Sequence, residues 1–141
     1  MLCSKIMVAY DGSSASKASL NKAAQMACVC GAEIIVIHVT VSQTAGDETY
    51  AVLADSDYAD GLKNETDEIL KDYKGRHRFI SIIGMSPSFA ILEQAKENKC
   101  DMIIMGSRGL TGIKEFLGSV SHSVVQHARI PVMIVKDETD E

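Results

Sequence analysis

The sequence contains no tryptophan, and only 5% of its 141 residues are aromatic, so aliphatic side chains must fill any hydrophobic core. A core of Ile, Val, Leu, Ala and Met is typical of a parallel sheet that helices cover on both faces. No run approaches the roughly 18 apolar residues of a membrane span, and no signal-peptide pattern opens the chain. We therefore expect a cytoplasmic protein with one domain, residues 1–141, and no membrane partner.

An excess of positive charge is also missing. The chain has 14 Lys and Arg residues against 19 Asp and Glu residues, a net charge of −5. This balance argues against nucleic acid or an anionic membrane as the main partner. Cys28 and Cys30 are separated by one residue, but no second pair follows at a spacing that suits zinc. We expect the four cysteines to be unpaired thiols.

No catalytic set can be recognised. The nucleophile elbow Gly-x-Ser-x-Gly does not occur. His38 is isolated, and His122 and His127 are five residues apart, which places them on different faces of a helix. We expect structural or solvated roles for the histidines and no metal site.

Five apolar runs alternate with segments that have helical periodicity. The predicted strands are Lys5–Tyr10, Glu33–Val39, Arg78–Ile83, Asp101–Met105 and Pro131–Lys136. The predicted helices run from Ser13 or Ser14 to Cys30, from Tyr58 to Lys74, from Ser86 or Ser88 to Lys99, and from Ser119 to His127. The polar stretch from Thr40 to about Ala54 is interpreted as a long loop. The order βαβαβαβαβ predicts a doubly wound α/β fold, in which a five-stranded parallel sheet has helices on both faces.

The glycine-rich segment after the fourth strand is the most informative motif. The apolar run ends at Gly106, Gly109 and Gly112 follow at intervals of three residues, and Gly118-Ser119 precedes the last helix. Such a loop can bring backbone N–H groups close to an anion, and Ser119 is suited to cap a helix whose N-terminus attracts phosphate. The spacing fits neither a P-loop nor the Rossmann fingerprint. The alternative is that these glycines only make a tight connection and a helix cap.

Asp11 lies at the end of the first strand, where a carboxylate needs a partner, a capping role or a ligand. Its local alternative is an Asx-type turn. Arg108 lies inside the glycine loop and can either reach a phosphate or remain solvated. In sheets of this kind ligands bind beyond the carboxyl ends of the strands. If the first and fourth strands are neighbours, Asp11 and the glycine loop face a single cleft.

These motifs together resemble the universal stress protein family over essentially the whole chain. The likeness rests on Ile6–Ser14, on His38-Val39, and on Met105–Gly109 continuing to Gly118-Ser119-Val120 and Pro131–Val135. The last block is similar to the family's nucleotide motif of glycine, two residues, glycine, nine residues, glycine, then Ser or Thr. The resemblance implies the strand order 3-2-1-4-5, homodimers, and ATP binding in the subgroup that keeps the motif.

The resemblance also implies a set of site residues. Those for the adenine and ribose are Asp11, Ala9, Val39 and Met105. Those for the loop and the phosphates are Gly106, Gly109, Gly118, Ser119 and Val120, to which the loop position of Arg108 adds a candidate. Eight residues, Leu110–Leu117, separate Gly109 from Gly118 where the family motif has nine. Either Gly118 and Ser119 are displaced from the phosphates, or the turn at Lys114–Leu117 absorbs the difference.

Three functions are compatible with these observations. The first is a regulatory stress-response module that binds ATP, with or without Mg²⁺. The second is an interaction protein of the same fold that binds no nucleotide, and the third is a slow ATPase. In the implied order the fifth strand lies at the sheet edge, and Val132–Val135 is apolar on both faces, which favours a homodimer through this strand.

Overall fold

The computed structural model describes residues 3–41, 48–108 and 117–137, with the backbone alone for 48–56. Its elements are β1 (Lys5–Ala9), α1 (Ser14–Cys30), β2 (Glu33–Val41), α2 (Glu48–Ile69), β3 (His77–Gly84), α3 (Pro87–Glu97), β4 (Met102–Gly106), α4 (Ser119–His127) and β5 (Val132–Val135). The five strands form a parallel sheet in the order β3-β2-β1-β4-β5. The predicted doubly wound fold and the implied strand order are both confirmed.

Strand residues alternate between two hydrophobic clusters, one on each face of the sheet. On one face the strands pack with α1 and α2 through Ile6, Val8, Ile34, Val36, Ile104, Leu20, Ala23 and Leu62. On the other face they pack with α3 and α4 through Met7, Ile35, Ile37, Ile103, Met105, Ile91, Ala95 and Val124. The strands are buried on both sides, which explains why their sequences are continuously apolar.

The predicted long loop from Thr40 to about Ala54 is wrong at both of its ends. Thr40 and Val41 extend β2, paired with Ile83 and Gly84 of β3, because β-branched residues suit a strand. Helix α2 begins at Glu48, in a segment whose Ala and Leu residues have high helix propensity but no clear apolar period. The central part of that prediction, residues 42–47, lies outside the described residues.

Helix α2 also ends earlier than predicted, at Ile69 instead of Lys74. The chain tightens here, since the Tyr73 N–H donates to the Leu70 carbonyl three residues back at 3.0 Å. The Tyr73 hydroxyl donates to the carbonyl of Ala32 and thereby ties this turn to the start of β2. Across the described ranges, helices long and apolar enough to span a bilayer are absent.

Candidate functional site

A cleft of about 340 Å³ opens at the carboxyl edge of the sheet, where β1 and β4 run side by side. Nine of the ten predicted site residues line it: Ala9, Asp11, Val39, Met105, Gly106, Arg108, Gly118, Ser119 and Val120. The tenth, Gly109, lies outside the described residues. The expectation that Asp11 and the end of β4 face one cleft is confirmed, because β1 and β4 are neighbours in the sheet.

Asp11 makes the turn between β1 and α1. Its Oδ1 accepts a hydrogen bond from the Ser13 N–H at 2.9 Å, which is the Asx-type turn that the sequence left open. Gly12 follows with φ of +85°, a left-handed conformation that side chains rarely adopt. Ser13 then caps α1 by accepting from the Ser16 N–H at 3.2 Å. The carboxylate of Asp11 is therefore held in place locally at the wall of the cleft.

The Ser107 carbonyl joins the end of β4 to the start of α4. It accepts from the Gly118 N–H at 2.7 Å and from the Ser121 hydroxyl at 2.8 Å. The Ser107 N–H in turn donates to the carbonyl of Val135 in β5 at 3.2 Å. These bonds fix the N-terminus of α4 against the strand ends, through contacts that are distant in sequence.

The N-terminus of α4 is built differently from those of the other capped helices. Gly118 is its N-cap and makes no side-chain capping bond, whereas Ser13 and Ser86 cap α1 and α3 through their hydroxyls. The prediction that Ser119 is the N-cap is wrong by one residue. The Gly118 carbonyl already accepts the first helical bond, from the His122 N–H at 2.9 Å. The first N–H groups of α4 therefore lie at the cleft, at the positive end of the helix dipole, with no side-chain cap over them.

The cleft also has aliphatic walls, formed by Ala9, Val39 and Met105 together with Ile37 and Ile91. Together with the α4 N-terminus, these walls give a cavity that combines apolar surface with N–H groups that attract anions.

His38 also lines the cleft and is only 8% exposed. Its Nδ1 is 3.3 Å from the Tyr10 carbonyl oxygen and its Nε2 is 3.4 Å from the Thr40 hydroxyl. The Tyr58 ring lies 5.7 Å from the imidazole, centre to centre. This environment agrees with the structural role expected for His38.

A hydrogen bond links helix α2 to Tyr10, the residue that follows β1 at the cleft. The buried Tyr10 hydroxyl donates to Glu65 Oε1 at 2.8 Å. Burial, and then the bond to Glu65, raise the pKa of Tyr10 well above its ordinary value. Tyr10 therefore remains protonated and joins the site to α2.

Several cleft residues were not predicted: Tyr10, Ser16, Ile37, His38, Pro87, Ile91 and Ser121. Alternation along β2 could have identified Ile37 as a wall residue beside Val39. The sequence around Ser121 does not indicate that it lines the cleft, because its hydrogen-bond partner Ser107 is 14 positions away.

The cysteines and other metal-ligating groups do not assemble into a site. All four cysteines are free thiols, as expected. Over residues 3–41, 48–108 and 117–137, no three His, Cys, Asp or Glu side chains are grouped so that they could hold a metal ion.

Comparison with known proteins places these features in a family. The family model described as "Universal stress protein family" matches residues 3–136. The chain is 34% identical to the universal stress protein YxiE of Bacillus subtilis over 145 aligned positions, which cover 94% of this chain and 98% of that one. The hypothetical protein MJ0577, whose structure was solved, superimposes with a TM-score of 0.83 at 28% identity, covering 96% of this chain and 97% of that one.

A second solved structure, a universal stress protein in complex with cAMP, superimposes with a TM-score of 0.79. It is 25% identical, and the alignment covers 98% of this chain and all of that one (100%).

Proposed function

The chain belongs to the universal stress protein family, and from that premise we propose that it is a stress-response regulator that binds an adenine nucleotide, ATP, in the cleft between β1 and β4. One observation carries the proposal. A single cavity is lined by nine residues from four separate segments of the sequence. Each of these residues either matches the family's nucleotide motif or precedes it.

The chemistry of the cavity suits the two ends of a nucleotide. The aliphatic side chains of Ala9, Val39 and Met105 offer an apolar slot for the adenine ring, and Asp11 can accept hydrogen bonds from ribose hydroxyls. The N–H groups of Ser119 and Val120, at the N-terminus of α4, are donors for phosphate oxygens.

Arg108 adds a positive charge at the phosphate end of the cleft. Asp11 is the only carboxylate among the described residues that line the cavity. Mg²⁺ would therefore be held mainly by the phosphates of the nucleotide, as is common for this ion. The binding of cAMP by a family member of the same fold supports a site for an adenine nucleotide.

A thermal unfolding experiment tests the proposal. ATP at one hundred times its Kd should stabilise the protein by about 2.7 kcal/mol, and GTP should stabilise it less because the apolar slot is assigned to adenine. Denatured protein should also release bound adenine nucleotide. A melting temperature that does not change up to millimolar ATP, with no released nucleotide, would instead support the interaction protein of the same fold.

The same samples test hydrolysis. Apart from Asp11, the described cleft residues supply no carboxylate to act as a base, so we expect ATP to remain intact over hours. Inorganic phosphate released at a rate that depends on enzyme concentration, and that is lost in Asp11→Asn, would favour the slow ATPase.

A further inference from the structure

Two cysteines that are far apart in sequence meet at the amino edge of the sheet, on the side opposite the cleft. Cys3 lies just before β1, and Cys30 is the last residue of α1. Gly31 turns the chain from α1 into β2 with φ of +72°. The Glu33 N–H then donates to the Ser4 carbonyl at 2.8 Å, which continues the pairing of β1 with β2 back towards Cys3. With strands about 4.8 Å apart, this register brings Cys3 beside the end of α1.

The side chains confirm what the register indicates. Cys3 is 8% exposed and belongs to the buried cluster between the sheet and α1, and Cys30 packs against that same cluster while remaining partly exposed. Burial first, and then the charge of Cys30, raise the pKa of the Cys3 thiol. Both thiols therefore lie in one packed cluster at this edge of the sheet, and Cys30 is the one that solvent can reach.

We propose that Cys3 and Cys30 are a modification site, at which a hydroperoxide converts the two thiols into an intramolecular disulfide. The Cys30 sulfur attacks the O–O bond of the hydroperoxide, an alcohol (or water, from hydrogen peroxide) leaves, and Cys30 becomes a sulfenic acid. The Cys3 sulfur then attacks Cys30 Sγ, the S–O bond breaks, and water leaves with the thiol proton. Two thiols lose two electrons and two protons, and the hydroperoxide is reduced to an alcohol and water.

The other two cysteines are poor partners for this reaction. Cys28 is exposed on α1 two positions before Cys30, and residues two apart on a helix point about 200° away from each other. Cys100 is buried at the start of β4, in the cluster on the other face of the sheet. The disulfide should therefore be specific for Cys3 and Cys30.

Peptide mapping of the oxidised protein tests the site. The full chain is reduced with dithiothreitol, freed of reductant, treated with a small excess of hydrogen peroxide, and alkylated before digestion without reductant. We expect two of the four thiols to resist alkylation and the peptides that contain Cys3 and Cys30 to be joined. The melting temperature should rise on oxidation and return with dithiothreitol, because the bond closes a long loop.

Variants separate this site from general oxidation. Cys28→Ser is the matched control and should form the same cross-link at the same rate. Cys3→Ser should stop at the sulfenic acid of Cys30, which dimedone labels, and Cys30→Ser should abolish the cross-link. The proposal is overturned if wild type keeps four alkylatable thiols, links Cys28 to Cys30, or forms only disulfides between chains. The wild-type peptide map distinguishes these outcomes even if a serine variant fails to fold.

Discussion

Gly106, the last residue of β4, packs its Cα directly against Ala15 in the first turn of α1. A methyl group on Gly106 would lie 2.7 Å from the Ala15 Cβ and 3.0 Å from its carbonyl carbon. No ordinary side chain fits at this distance, so the glycine is required for close approach and not for an unusual backbone angle. This contact places the turn that holds Asp11 beside the end of β4, and both Asp11 and Gly106 line the cleft.

The first prediction follows from that contact. Gly106→Ala should lower the free energy of unfolding by about 1–3 kcal/mol, because neither the Ala15 backbone nor the strand can move freely. In the double variant with Ala15→Gly part of the loss should return, since the closest contact has been removed. Urea unfolding of the two single variants and the double variant measures the coupling.

Gly84→Ala is the matched control for this cycle. Gly84 also ends a strand, but a methyl group there would meet only the Ala90 Cβ, at an ordinary 3.9 Å. Gly84→Ala should therefore lower the free energy of unfolding much less than Gly106→Ala does. Two results would contradict the close-packing explanation. One is an equal loss of unfolding free energy in Gly84→Ala and Gly106→Ala, and the other is a double variant whose loss equals the sum of the losses in Gly106→Ala and Ala15→Gly.

The second prediction concerns the α4 N-terminus. Gly118→Val should leave the protein folded, because the φ of −65° at Gly118 suits any residue. It should abolish ATP binding, because a Cβ at this position would lie 3.3 Å from the Arg108 Cα and the side chain would crowd the proposed phosphate site. Ser119→Ala removes one exposed hydroxyl and should weaken binding about fivefold, which corresponds to about 1 kcal/mol.

Isothermal titration of both variants, with circular dichroism as the test of folding, measures these effects. Ser123→Ala is the matched control, one turn further along α4 and outside the cleft lining, and it should bind like wild type. If Gly118→Val binds ATP normally, the phosphates lie elsewhere.

The third prediction concerns the short spacing between Gly109 and Gly118. One residue spans up to about 3.5 Å when extended, enough to move a donor away from a phosphate. However, the Ser107 carbonyl holds both Gly118 and Ser121, at 2.7 and 2.8 Å, whatever the length of the intervening segment. Inserting a leucine after Leu117 should therefore change the Kd for ATP less than threefold. Tightening by tenfold or more would show that the shorter spacing weakens the site.

Much of the fold was predictable because its causes are local. The run Met102–Met105 is apolar throughout since β4 is buried on both faces, and Ser86 before Pro87 is a capping arrangement that sequence alone reveals. The position of the cleft followed too, because Asp11 follows β1 and Gly106 ends β4, its neighbour in the parallel sheet. Helix α2 was placed ten residues late because its first turns have propensity without an apolar stripe.

The parts that could not be predicted depend on distances between elements. The Ser107–Ser121 bond and the Gly106–Ala15 contact join residues whose types do not indicate which residue each one contacts. The error at Ser119 has the same origin. Serine is the better intrinsic cap, but the long-range bond from the Gly118 N–H to Ser107 fixes Gly118 in the extended conformation and makes it the N-cap.

The fourth prediction is a pH dependence. Asp101 Oδ2 accepts from the Ser4 N–H at 2.6 Å, the Ser4 hydroxyl at 2.8 Å and the Lys5 N–H at 2.8 Å. The Ser4 backbone bond first, and then the Lys5 bond, lower the pKa of Asp101 below its ordinary value of 3.8. A carboxyl whose pKa is lower in the folded state stabilises the protein above the unfolded pKa, and this contribution is lost as pH falls through the folded one.

Asp101→Asn should therefore lower stability at pH 7 by about 1–3 kcal/mol and flatten the decline below pH 4. Urea unfolding between pH 2 and pH 7 measures both effects. Asp72→Asn, an exposed carboxylate in the turn after α2, is the control and should keep the wild-type profile. An Asp101→Asn profile parallel to wild type through the acid range would contradict the assignment.

The last prediction is a homodimer through β5, which the strand order places at the edge of the sheet. The carbonyls of Pro131 and Val135 accept from the Ile103 and Ser107 N–H groups, so they point towards β4. By alternation, the N–H and C=O groups of Val132 and Ile134 point out of the sheet. An apolar edge of this kind invites pairing with another chain.

Two copies related by a two-fold axis can pair these edges antiparallel and satisfy both sets of groups. Pro131 cannot donate, so pairing should run from Val132 onward. The alternative is a monomer whose edge is protected by the charges of Lys136 and the acidic residues that follow it.

Sedimentation velocity at micromolar concentration distinguishes the two. Wild type should be a dimer, and Met133→Lys or Ile134→Lys should shift it to monomer, because each puts like charges close together across the axis. Met85→Lys is the control, since Met85 is an apolar residue 79% exposed directly after β3, the strand at the opposite edge of the sheet, and this variant should remain dimeric. Circular dichroism checks that the monomeric variants are folded. A monomeric wild type, or a dimer that neither lysine weakens, would exclude β5 as the interface.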